Sequence, residues 1–158
     1  MSNYRRPRVP GATVFLTFCL AERGSDLLVR QIGALRGAVR EALIVQPFRI
    51  DAWVVLPDHM HCVWTLPEGD ADFSGRVVRI KAAFSKSMPD VPLRASYVRR
   101  RERGIWQRRF WEHHVRDEAE FVAALRYCWE NPVKHGLVRE VREWPFSSWH
   151  RDHPADTR

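Results

Sequence analysis

Residues 48–66 read FRIDAWVVLPDHMHCVWTL. Two runs rich in β-branched and aromatic residues, Phe48 to Leu56 and His59 to Leu66, flank Pro57-Asp58, a dipeptide with strong turn preference. The stretch predicts a β-hairpin. Side chains two apart on a strand share a face, so His59 and His61 project together and Met60 points the other way.

Upstream of the hairpin, Thr13 to Leu20 (TVFLTFCL) alternates Val14, Leu16 and Phe18 against Phe15, Thr17 and Cys19, as a strand does. Between the two, Asp26 to Ile44 places Leu28, Ile32, Leu35, Val39 and Leu43 at helical spacing. Downstream, Ser74 is a candidate cap for a helix over residues 75–88, with Val77, Ile80, Phe84 and Met88 on one face. Pro89 to Gly104 reads as a basic loop, and Ile105 to Val115 as a fourth strand. Asp117 with Glu120 three residues on predicts the capped start of a further helix, which Asn131-Pro132 is expected to end. The order βαββαβ plus a helix predicts an α+β, ferredoxin-like split βαβ: one antiparallel sheet with helices on one face and an added C-terminal helix carrying Tyr127. Residues 1–12 read as a basic arm, 13–139 as the domain, and 140–158 as a Trp- and Pro-rich tail.

The chain of 158 residues is of single-domain length. Its 45% hydrophobic and 28% charged residues fit a globular protein rather than a disordered one. No segment approaches the ~20 apolar residues of a membrane span, and the N-terminus lacks the apolar core of a signal peptide. The three cysteines (Cys19, Cys62, Cys128) form no C-x-x-C pair, which fits a reducing cytoplasm. Lys and Arg total 26 against 19 Asp and Glu, a net charge of +7 that points to a polyanionic partner. Only Lys81, Lys86 and Lys134 are lysines; the remaining cations are arginines, whose planar fork suits phosphates and guanine edges.

Three constellations carry possible chemistry. His59 and His61 can share a divalent metal, or be two hydrogen-bonded histidines at a strand end. Tyr127 and Asn131, four apart, occupy one helical face, where a phenol and an amide can serve one site; spacing alone favours the plainer reading of a core tyrosine and a capping asparagine. Arg94 to Arg116 interleaves arginines, among them Arg99, Arg100, Arg101, Arg108 and Arg109, with Trp106, Phe110 and Trp111. Such a stretch offers phosphate contacts and stacking surfaces for unpaired bases, or is a solvated loop. A competing arrangement adds His113 or His114 to His59 and His61 as a three-histidine zinc site.

The sequence resembles the REP-associated tyrosine transposases, relatives of the single-tyrosine HUH transposases. The residues that carry the resemblance are Tyr4 to Arg6 (YRR), Ala52 to Asp70 (AWVVLPDHMHCVWTLPEGD), Ile105 to Asp117 (IWQRRFWEHHVRD), Tyr127 to Val138 (YCWENPVKHGLV) and Trp144 to Asp152 (WPFSSWHRD). The resemblance implies that His59 and His61 bind Mg²⁺ or Mn²⁺, with Asn131 where relatives place a third ligand, often Gln. It implies that Tyr127 is the nucleophile, forming a 5′-phosphotyrosyl link to single-stranded DNA beside a hairpin of the repeated extragenic palindrome (REP) type. Tyr4, Arg5, Arg6, Arg99, Arg100, Arg101, Arg108, Arg109 and Lys134 are then the expected DNA contacts. The expected protein is a monomer, with a dimer left open, residing in the cytoplasm with the nucleoid. The alternative is a hairpin-binding protein of the same fold without catalysis.

Overall fold

The computed structural model describes residues 4–89, 95–99 and 103–157. Its sheet has four strands, β1 (Thr13–Cys19), β2 (Arg49–Val55), β3 (His59–Thr65) and β4 (Trp111–His114), in the order β2-β3-β1-β4. Every neighbouring pair is antiparallel, with β3 inserted between β1 and β2: the ferredoxin-like split βαβ that the element order predicts. No helix among the described residues is long and apolar enough to cross a membrane.

The pleat divides the sheet into two cores. Val14, Leu16 and Phe18 of β1 and Met60, Cys62 and Trp64 of β3 meet α2 (Ile32–Val45) and α3 (Phe73–Ser87) on one face. Phe15, Ala52, Val54 and Val63 meet Cys128, Phe121, Ala124, Leu125 and Trp129 on the other. That second face belongs to α5 (Glu118–Lys134), so the helices cover both faces rather than the single face expected. β3 is buried along nearly its whole length for this reason.

Several element boundaries differ from expectation. The first helix is two pieces: α1 (Leu27–Arg30), tied to the hairpin turn through the Leu28 amide and the Pro57 carbonyl, and α2, with Gln31 non-helical between them. The cap of α3 is Asp72, not Ser74; its carboxylate accepts the Gly75 amide at 2.9 Å, and a Cβ at Gly75 would collide with it. A short helix, α4 (Ala95–Arg99), occurs within the expected loop. β4 begins at Trp111 rather than Ile105. Thr17 pairs with Trp111 and Leu20 with Trp106, so β1 advances three residues while the opposing chain advances five and must bow outward. Pro132 does not end α5. Gly136, at φ 71°, ends it in a Schellman motif, with Leu137 N–H bonded to Pro132 C=O and Gly136 N–H to Val133 C=O.

Residues 146–148 pair with the open edge of β2. The Val55 amide donates to Phe146 C=O at 2.9 Å, the Ser148 amide to Trp53 C=O at 2.7 Å, and the Trp53 amide to Ser148 Oγ at 2.9 Å. Pairing this edge removes a template for aggregation.

Arg76 is fully buried at the start of α3. Its guanidinium bonds both carboxylate oxygens of Asp70 and the carbonyls of Gln46, Pro47 and Asp72. One side chain thus fastens the α2–β2 loop to the α3 cap. Replacing it with methionine leaves those oxygens without their donors, and Arg76→Met is expected to cost about 3–5 kcal/mol in urea unfolding. A loss below about 1 kcal/mol, the range of an exposed pair, would refute this anchoring role.

Candidate active site

The alternation of β3 sets His59 and His61 on the α5 face, 7% and 5% exposed. Each ring is held through Nδ1. His59 lies 2.7 Å from Asp58 Oδ1, and a carboxylate can only accept, so His59 Nδ1–H donates. Asp58 is itself held by the Gly24 amide at 2.8 Å and faced by Arg23 at 3.4 Å. Burial works to raise the Asp58 pKa, but the Gly24, His59 and Arg23 contacts outweigh it and keep the carboxyl below its usual range. His61 Nδ1 shares a 2.7 Å hydrogen bond with Thr17 Oγ1, its partner across the β1–β3 ladder. These anchors leave Nε2 of each ring for other work.

Over these rings runs α5, its first turn capped by Asp117 Oδ1 accepting the Glu120 amide at 2.8 Å. Tyr127, Asn131 and His135 follow one another at intervals of four and form a stripe along the helix. At one end the Tyr127 ring is 5.2 Å from that of His61; at the other His135 is 5.2 Å from His59. Asn131 lies between them on the stripe, 1% exposed, with neither Oδ1 nor Nδ2 hydrogen-bonded. A buried amide without partners costs about 1–3 kcal/mol, so a group that uses it is implied. Lys134 Nζ stands 5.2 Å from the centre of the Tyr127 ring, which is 42% exposed.

Burial depresses both histidine pKa values: His59 falls despite Asp58, and His61 falls to about 3, helped by the charges of His59, His135, Arg23 and Lys134. Both rings are therefore neutral at pH 7, the form that binds metal. In metal-free protein the unfolded chain protonates His61 near its ordinary 6.5 while the folded chain does not until about pH 3. The stability conferred by a neutral His61 is complete above pH 6.5 and declines as pH falls, by a few kcal/mol in order of magnitude. Urea midpoints in chelator should fall from pH 7.5 to 5 and fall less in His61→Gln. Equal slopes in the two proteins would contradict the burial argument.

The structure thus brings together His59, His61, Tyr127, Asn131 and Lys134 and leaves other expected site residues elsewhere. Arg6 is ion-paired with Glu112, donates to Phe110 C=O at 3.0 Å and lies over the Phe110 ring; Tyr4 donates to Glu112 at 2.6 Å. The arm is therefore docked against β4, on the side opposite Trp111 and His113. Arg5 borders a separate hollow with Arg8 and Ser74. Arg108 lines another with Lys81, Lys86, Arg103 and Trp106, and Arg109 is exposed. Arg99 ends α4 and is exposed; Arg100 and Arg101 lie outside the described residues. Among the described residues no three His, Cys, Asp or Glu side chains are placed to hold an ion, so the three-histidine zinc arrangement does not form. His113, on β4, is separated from His61 by β1.

Sequence reasoning missed Thr17, Asp58 and His135. The alternation of β1 carried a signal for Thr17, and the next four-residue step beyond Asn131 carried one for His135. Sequence reasoning also missed a cavity of about 580 Å³ beside Tyr127 and His61, walled by Phe15, Trp111 and Ala124.

No family model matches the chain. Curated relatives do: the chain is 46% identical over 152 residues to a REP-associated tyrosine transposase of Escherichia coli (strain K12), covering 96% of this chain and 85% of that protein. It is 40% identical over 158 residues to a putative REP-associated tyrosine transposase of Haemophilus influenzae, covering 99% and 90%. A solved REP-associated tyrosine transposase bound to a REP hairpin superposes with TM-score 0.85 at 44% identity, covering 100% of this chain and 88% of that one. A putative transposase from Deinococcus radiodurans, at TM-score 0.50 and 15% identity over 80% of this chain and 95% of its own, shares the fold.

Proposed function

The chain belongs to the REP-associated tyrosine transposases, and on that premise we propose that it nicks and rejoins single-stranded DNA beside REP-type hairpins, with Tyr127 as nucleophile and His59, His61 and Asn131 as metal ligands. The observation that carries the assignment is the meeting of Tyr127 with His61 under a helix whose next turn presents an unpartnered buried amide. Two neutral imidazoles and one amide oxygen suit Mn²⁺, and Mg²⁺ with added water oxygens. When bound, such an ion polarises the scissile phosphate and stabilises the charge that develops on it.

The chain's own residues do the rest. Tyr127 Oη attacks phosphorus, the P–O3′ bond breaks, the upstream fragment departs with a free 3′-OH, and the downstream fragment stays joined to the protein through its 5′-phosphate. The phenol loses one proton and O3′ gains one. One phosphodiester replaces another, so no ATP is consumed, and a second 3′-OH can reverse the step. Asp58 and Thr17 hold the two rings in fixed orientation. Lys134, beside the phenol ring, supplies positive charge where the phosphate must sit. Tyr127 faces the histidines of its own chain, which supports attack within a monomer. The net charge of +7 supports residence with DNA in the cytoplasm.

Incubating the protein with a single-stranded REP-hairpin oligonucleotide and Mn²⁺ should yield a covalent adduct on a denaturing gel, abolished by chelator. Tight hairpin binding without any adduct would replace this reading with that of a non-catalytic hairpin-binding protein.

A further inference from the structure

The cavity beside Tyr127 is not used by any step above. It opens between β4 and the first half of α5; Phe15 and Trp111 form its aromatic walls, Ala123 and Ala124 keep it open on the helix side, and Tyr127 and His61 close its inner end. Trp111 is 56% exposed, an unusual exposure for so large an apolar ring on a strand. It is held in place edge-on against Phe15, with ring centres 5.5 Å apart, and parallel to His113 at 10°. A rigid aromatic plane is thus presented to solvent next to the nucleophile.

The lining selects what can enter. Among the described residues no lysine or arginine lines the cavity, and the Glu120 carboxylate that does is paired with Arg116 at 2.6 Å. A phosphate finds no lysine or arginine on these walls, and its place is at the inner end near Lys134. The part of a nucleotide that suits apolar walls and an exposed indole is the base. The nucleotide beside the scissile phosphate must put its base within a few ångströms of Tyr127.

From this we infer that the cavity between Trp111 and α5 receives one unpaired base of the substrate, that of a nucleotide adjoining the scissile phosphate, stacked on Trp111. The inference rests on the nicking reading and adds to it a subsite: the base is drawn out of its strand, and the phosphate is thereby fixed in line with Tyr127. Since every base has an aromatic face, stacking alone tolerates any base. His113 and Glu120 stand at the wall where a base edge would meet polar groups.

The test uses hairpin oligonucleotides with an unpaired flank carrying 2-aminopurine at one position at a time, bound to Tyr127→Phe protein without metal, so that the readout is independent of cleavage. Fluorescence should be quenched on binding at one flank position. Trp111→Ala should remove that quenching and weaken the flanked hairpin roughly tenfold to hundredfold, while Trp111→Phe largely retains both. Ala123→Leu, which fills the cavity without disturbing the tryptophan and suits a helix, should have the effect of Trp111→Ala and guards against a folding defect. A blunt hairpin without a flank should bind all four proteins alike. Quenching that persists in both Trp111→Ala and Ala123→Leu, or none at any flank position in the parent, overturns the inference. Adduct formation by the wild-type protein is measured separately. Trp111-dependent quenching without any adduct would leave the base pocket standing and remove the nicking reading instead.

Discussion

Tyr127→Phe is expected to end covalent attachment to DNA and to leave hairpin affinity almost untouched. The variant loses one oxygen. The ring keeps its edge-on contacts with Phe15 at 5.5 Å and His61 at 5.2 Å, and it keeps Lys134 nearby. Tyr127 is 42% exposed and outside the buried core, so removing its oxygen opens no core cavity, and stability should shift by no more than about 0.5 kcal/mol. Loss of the nucleophile should lower adduct formation by roughly 10⁴-fold or more, while fluorescence-titrated affinity stays within about twofold. The three tyrosines make the alternative explicit. Tyr4 is spent on Glu112, so an adduct surviving in Tyr127→Phe would make Tyr97 the residue to test.

The hairpin and the shared face of His59 and His61 were legible because strand periodicity is two and the Pro57-Asp58 turn fixes where counting begins. The start of α5 was legible because Asp117 and Glu120 form a local cap. Features decided at longer range were not. The end of α5 misled because the helix runs on through Pro132, although proline has no N–H to give the ladder, and the true stop is the left-handed Gly136. The length of β4 misled because the mismatch with β1 at Leu20 is a property of pairing, invisible in either strand alone.

The arginines show the same limit. A basic chain invites every arginine to be read as a DNA contact, yet Arg76 is a core anchor and Arg6 a clamp on Glu112. The sequence signal for Arg76 was the Asp70 and Asp72 pair just before its helix. For Arg6 there was none, since Glu112 lies more than a hundred residues away. The meeting of Tyr127 with His61 was equally unreadable from spacing; the family resemblance supplied it, and the fold provides the physical reason, a helix laid over the second face of β3.

The proposed metal ligands should separate by the sign of their effect on stability. His61→Ala removes a buried ring stacked on Phe15 and bonded to Thr17, and should lower both Mn²⁺ affinity and stability, the latter by about 2–4 kcal/mol for the lost packing. Asn131→Leu keeps nearly the same volume but deletes two buried polar atoms that have no partner, so the metal-free protein should gain about 1–3 kcal/mol. The same substitution should weaken Mn²⁺ binding by calorimetry at least tenfold and lower metal-dependent adduct formation in step. A residue that destabilises the fold it sits in while supporting the reaction is what a site selected for chemistry predicts. If Asn131→Leu instead unfolds the protein, the amide is a structural element; if it leaves Mn²⁺ affinity unchanged, the third ligand lies elsewhere, and His135, 5.2 Å from His59, is the next side chain to replace.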